Sequence, residues 1–194
     1  QQDVLRAQLE TDRLDEQLIT LRRQKQVAQA DLATLLQQPV DLLPEATDEL
    51  GITDTPQQIE ELIALAEQCN PKLRGLAWEI QRDRDKEREA AHRRSSTTRR
   101  LEAERDELYG KIRRLIVQAD ALAEQRDIYE NRIIPRTEGT LELSIADYRG
   151  KRTDFFTLIE TYRELLMFET QLARIDATLA GTIAQLDRTV GCPQ

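Results

Sequence analysis

The sequence predicts an all-α protein built from long antiparallel coiled-coil helices, on three observations. Leucines recur every seven residues along two stretches: Leu101, Leu108, Leu115 and Leu122 in one, Leu158, Leu165, Leu172 and Leu179 in the other. A seven-residue apolar repeat is the seam along which one helix packs on another. Seven Gly and six Pro in 194 residues leave too little turn chemistry for a many-stranded sheet. Charged residues make up 33% and aromatic residues 4%; an average domain holds ~25% charged residues, so narrow seams fit better than a thick core.

The first helix is expected from about Asp3 to Gln38. Its apolar residues Leu14, Leu18, Leu21, Ala28, Leu32 and Leu35 follow heptad steps, with Lys25 at the skipped position. Asp3 is placed to cap it, and Pro39 ends it, because the residue before a proline avoids the α region. Pro39, Pro44, Gly51 and Pro56 punctuate an irregular, acidic connection over 39–55. Thr55-Pro56-Gln57-Gln58 reads as a capped helix start, opening a short helix to about Gln68. Asn70-Pro71 repeats the signal and opens a third helix carrying Leu73, Leu76, Ala77 and Ile80. Ser95-Ser96-Thr97-Thr98 is the polar break at which a helix-helix turn is expected. The fourth helix then runs to about Tyr148, with Arg126 interrupting its seam. Pro135 is expected to kink the helix without stopping it, since Leu141, Leu143 and Ile145 continue the pattern. Tyr148 to Asp154 form a tight turn in which Gly150 takes the left-handed conformation and Thr153 or Asp154 caps the last helix. That helix runs to about Val190. Residues 1–38 and 101–190 thus hold the long helices, with a tip near 148–154. Residues 39–70 are an irregular and short-helix segment, and 71–100 a helix with a polar connection.

The net charge of −8 argues against a nucleic-acid binder, which needs a basic surface. The basic cluster at His92, Arg93, Arg94, Arg99 and Arg100 reads as a solvated helix end. No run approaches the ~20 apolar residues of a membrane-spanning helix, and Gln1-Gln2-Asp3 leads straight into a helical pattern with no signal peptide. The chain is therefore expected to be soluble. Cys69 and Cys192 lack CxxC spacing, and one His cannot complete a zinc site with them. Two isolated thiols fit either buried apolar residues or one disulfide. No nucleophile-base pair, Gly-rich phosphate loop or metal cluster appears, so neither an enzyme nor a cofactor is expected. Trp78 and Tyr109 read as seam residues rather than ligand contacts.

The first and last helices align at an offset of 151: Asp3 with Asp154, Leu14 with Leu165, Leu21 with Leu172, Arg23 with Arg174, Ala33 with Ala184 and Leu35 with Leu186. Matching leucines are cheap in coiled coils. The shared Asp before an apolar pair, Val4-Leu5 against Phe155-Phe156, says more: it reads as two copies of one hairpin tip. Repeat symmetry then puts the starts of both helices at one end.

These segments resemble a family. Gln2-Asp3-Val4-Leu5-Arg6-Ala7-Gln8-Leu9-Glu10 is similar to the segment after the first periplasmic tip of TolC-like outer-membrane efflux proteins. Asn70-Pro71-Lys72-Leu73 resembles the opening of their second-repeat helix, and Tyr148-Arg149-Gly150 through Thr153-Asp154-Phe155-Phe156-Thr157-Leu158-Ile159 their second tip. Ala184-Gln185-Leu186 through Val190-Gly191 resembles the end of their last helix. The order and spacing of these segments carry the resemblance, which covers nearly the whole chain.

The resemblance implies a homotrimer with a membrane β-barrel and a long periplasmic α-barrel. This would be a passive exit duct docking to a periplasmic adaptor (membrane fusion) protein and, through it, to an inner-membrane pump. Two departures stand out. The first repeat's descending helix and β-hairpin are absent, and a polar stretch from His92 to Arg100 stands where membrane strands of ~9–11 residues are needed. The expectation is a soluble fragment in which a short, engineered link replaces the membrane hairpin of an outer-membrane parent. Asp154 matches the family position where aspartates ring the periplasmic constriction and favour cations; Thr157 stands where a second aspartate would be. Asp3 is the second gate candidate by repeat symmetry. The plain alternative for both is helix capping. Tyr148, Arg149, Gly150, Lys151 and Arg152 are candidates for locking the tip or docking the adaptor, or else form a solvated turn. The resemblance also brings Cys69 and Cys192 together at the equatorial belt, where an oxidising periplasm allows a disulfide. The alternative function is a structural coiled-coil scaffold or adaptor with no transport role.

Overall fold

The computed structural model describes residues 2–38, Pro44, 59–84 and 90–191. Every regular element among them is helical: α1 (Gln2–Leu35), α2 (Ile59–Cys69), α3 (Pro71–Arg84), α4 (Ala90–Ile128), a π turn (Tyr129–Ile133), α5 (Ile134–Arg149) and α6 (Phe155–Val190). The expected connection at 39–55 and capping box at 55–58 lie outside the described residues, apart from Pro44.

The chain divides into two compact units. The larger holds α2, α3, α4, the π turn, the beginning of α5 and α6 from Glu164 onward. Its main core joins Leu62 and Ala66 of α2 to Ile112, Leu115 and Ile116 of α4 and to Leu186 and Val190 of α6. A second cluster joins Ala119 of α4 to Leu179 and Ile183 of α6. Partners fall along α6 as they rise along α4: Arg126 reaches Asp176, and Tyr129 packs on Phe168. The two helices therefore run antiparallel, and the heptad residues fill the seam between them. Within α3, Leu73 and Leu76 are buried and Ala77 is exposed.

The joints of this unit follow the capping signals. Asn70 caps α3, its Oδ1 accepting from the Lys72 and Leu73 amides at 3.0 and 3.4 Å, and Pro71 takes the first helical position, where no N–H is needed. The other end of the same side chain donates to the Thr189 carbonyl at 3.1 Å, tying the α2–α3 joint to the last turn of α6. Gly191 takes a positive φ of 84° to end α6, a conformation that strains any residue with a Cβ, and it lies in close contact with the Asn70 backbone. Cys69, beside this joint, is disulfide-bonded. The sequence has one other cysteine, Cys192, which lies outside the described residues.

The turn expected at Ser95–Thr98 is not there. Those residues lie in the second turn of α4, which is already helical at Ala90. Serine and threonine cost a helix only a few tenths of a kcal/mol each relative to alanine. With no Gly or Pro in 90–100, nothing local stops the helix, and Thr97 is buried. Trp78 is not a seam residue either. It is 74% exposed and stands over an open groove of about 480 Å³ with Gly75, Glu79, Gln81 and Arg82. Leu73 and Leu76 hold the buried face of α3, and Trp78 falls away from it.

The smaller unit holds α1, the end of α5 and the start of α6. α1 forms as its pattern predicts, but the seam stays open. Leu18, Leu21, Leu32 and Leu35 are all exposed, and Ala33 is the buried hydrophobic among the described residues of α1. α1 ends at a Schellman motif: Gln37 has φ 53°, Gln38 N–H donates to the Ala33 carbonyl at 3.0 Å and Gln37 N–H to that of Thr34 at 3.2 Å.

Candidate functional site

The α5–α6 tip is built by one stop signal and one start signal. Gly150 N–H still makes an α-helical bond to the Ala146 carbonyl at 2.9 Å. Lys151 N–H then donates to Tyr148 at 3.0 Å and Arg152 N–H to Asp147 at 2.8 Å. This is again a Schellman motif, and its left-handed residue is Lys151, with φ 56°. Gly150 does not take that conformation, contrary to the expectation from sequence. Its missing side chain instead makes room: a Cβ there would meet Arg152 Nε at 3.3 Å, and Arg152 folds back over it to pair with Asp147 at 3.0 Å.

Asp154 starts α6 as an N-cap. Its Oδ1 accepts from the Thr157 amide at 2.9 Å and the Thr157 hydroxyl at 2.7 Å. These bonds, with the Arg6 charge nearby, hold its carboxyl below the ordinary aspartate value. The residue that replaces the resembled family's second aspartate is thus the partner of the first. Asp3 lies in the first turn of α1, which has begun at Gln2, and its side chain is outside the described residues. The structure brings Tyr148 against Phe155, ring centroids 5.8 Å apart, across the turn. Arg149 and Lys151 are exposed.

Four residues not singled out as site candidates from sequence also meet at this end: Arg6, Phe156, Glu10 and Arg163. The Arg6 guanidinium lies 5.2 Å from the centroid of the Phe156 ring. Glu10 receives the Arg163 guanidinium, Nε to Oε1 at 2.8 Å, and this bond holds the Glu10 carboxyl below its ordinary value. Partners 6 with 156 and 10 with 163 are 150 and 153 residues apart. The starts of α1 and α6 therefore lie side by side, pointing the same way, in the register of the 151-residue repeat. That offset was the signal that could have found them, since it puts Glu10 within one turn of Arg163.

A second polar cluster joins α2 to α4. Glu67 accepts from Arg105 at 2.6 Å and from the Tyr109 hydroxyl. Burial, then the bond to Glu67, raises the Tyr109 pKa. Tyr109 is half-buried, and its hydroxyl is taken up by Glu67 of α2. Among the described residues no group of three or more His, Cys, Asp or Glu is placed to hold a metal. No described helix is long and apolar enough to cross a membrane.

Compared with protein-family models, with curated proteins and with solved structures, the chain matches none.

Proposed function

We propose that this chain is the periplasmic helical portion of an outer-membrane exit duct, with the α5–α6 tip at its adaptor-facing, constricted end. The observation that carries the reading is the paired start of α1 and α6, in parallel and in the repeat register, beside a capped helical turn. A duct made from two copies of one hairpin needs that pairing. The open seam of α1 supports the same reading, because Leu18, Leu21, Leu32 and Leu35 ask for neighbouring helices such as those of a trimeric α-barrel. On this reading Asp154 contributes one carboxylate per subunit to a ring at the constriction. Tyr148, Arg149, Lys151 and Arg152 present the turn to a periplasmic adaptor, which links it to an inner-membrane pump. The duct does no bond-breaking chemistry, takes no cofactor and binds no nucleic acid.

The test uses the full-length trimer in lipid bilayers. Asp154→Ala is expected to alter conductance and weaken block by multivalent cations, because it removes the ring charge. It also removes a cap, so the melting temperature is expected to fall by roughly 2–4 °C with helix content nearly unchanged. Unchanged conductance and cation sensitivity would leave Asp154 as a helix cap alone. If no trimeric channel forms at all, the coiled-coil scaffold is the better reading.

A further inference from the structure

Between α4 and α5 the chain passes through a π turn without leaving the helix. The Ile134 N–H donates to the Tyr129 carbonyl, five residues back rather than four. The next residue is Pro135, which has no N–H to give and whose ring would press on the Asn131 carbonyl in α geometry. The wider π turn relieves that pressure.

The turn also re-phases the helix. Carried on from Leu122 and Tyr129 in steps of seven, the seam would reach Arg136 and Leu143, and from Ile133 it would reach Thr140. All three are exposed, Leu143 at 69%. Thr137, Leu141 and Ser144, each one position further on, are half-buried instead, on the side of the helix that also half-buries Ile145. The π turn is therefore a one-residue skip, pinned by Pro135.

None of its five residues is buried, and Gly139, just beyond, has no neighbour within 4 Å of an added Cβ. Little packing holds this stretch. Within the helix Asp127 accepts from Asn131 at 2.8 Å and pairs with Arg132 at 3.8 Å; toward α6, Tyr129 meets Phe168 edge-on at 6.1 Å, and Arg126 bridges Asp176 at 2.9 Å and Glu130 inside the turn at 2.7 Å. An arginine in an apolar seam has a purpose here, since its fork joins two carboxylates at once.

We propose that the π turn is a joint built into the helix: it opens locally and frees the start of α5 while α4 and α6 keep their packing, and Arg126 is the clasp that holds it closed. The inference stands on this geometry and not on the duct reading.

Native-state hydrogen exchange on the whole chain, read by NMR, tests it. Amides of Ile133 and Ile134 are expected to exchange at least ~10-fold faster than those of Ile112, Leu115 and Ala119, as a local opening requires. Asp176→Asn is expected to speed exchange at 131–139 a further ~5-fold and leave the α4 core amides unchanged. Arg126→Lys keeps the charge but loses the fork, and it is expected to act in the same direction. The joint is refuted if 112–139 exchange at one rate in the unaltered protein. The clasp is refuted if neither variant changes exchange at 131–139, or if both speed it equally throughout α4 and α6.

Discussion

Lys151 shows how a turn can place its strained residue beside the glycine rather than on it. A left-handed conformation costs a residue with a Cβ about 1–2 kcal/mol, and Lys151 adopts it at φ 56°. Lys151→Gly is therefore expected to stabilise the tip by about 0.5–1 kcal/mol after the entropy cost of glycine, read as a raised urea midpoint. At the same end, Glu10 carries a pH dependence. Its hydrogen bond from Arg163 depresses its pKa from an ordinary 4.5, so the unfolded chain takes up this proton before the folded one does. The stability this pair contributes is present at neutral pH and falls as pH drops from about 5 down through the folded value. Thermal melts between pH 7 and 3 are expected to show a shallower acid slope in Glu10→Gln than in the unaltered protein.

At the scale of the element, the helix starts and stops came from a few side chains, and these were legible. Asn70, Asp154 and Gly191 do what residues of their kind do at helix ends. The turn expected at Ser95–Thr98 failed because hydroxyl residues discourage a helix weakly and do not break one. A proline is the discriminating probe. Thr97→Pro, in the interior of α4, is expected to cost about 3 kcal/mol and shift the thermal midpoint downward; a turn there would have accepted it with little change. The packing face of α6 is the other element-scale test. Leu186 is wholly buried between α2 and α4, so Leu186→Ala is expected to cost about 2–5 kcal/mol by chemical denaturation. The same change at exposed Leu21 is expected to have little effect on an isolated chain.

On the scale of the whole molecule, several fastenings gather where the α2–α3 joint meets the end of α6. The Asn70–Thr189 bond, the close approach of Gly191 and the Cys69 disulfide all lie there. With two cysteines in the chain, an intramolecular bond joins the peptides carrying Cys69 and Cys192. A digest without reductant is expected to yield that linked pair, and reduction is expected to lower the thermal midpoint by roughly 5–10 °C, since a long loop is closed. Separate peptides before reduction would show instead a bond between chains or none.

The amino-acid sequence by itself determined the all-helical class, the helix ends at 70–71, 149–155 and 190, and the common end from which α1 and α6 start. Heptad spacing and caps act within a few residues, and a repeat carries its own register. Only the tertiary structure decided which seams close. The leucines of α1 follow the same spacing as those of α6, yet Leu186 is buried and Leu35 is 81% exposed. A heptad declares that a helix can be covered and leaves open by what. The tertiary structure also decided the π turn, because a one-residue skip alters no residue type and shows only in which face is covered. The same holds for the clasp at Arg126, since Asp176 lies fifty residues away along the chain and is brought near only by packing.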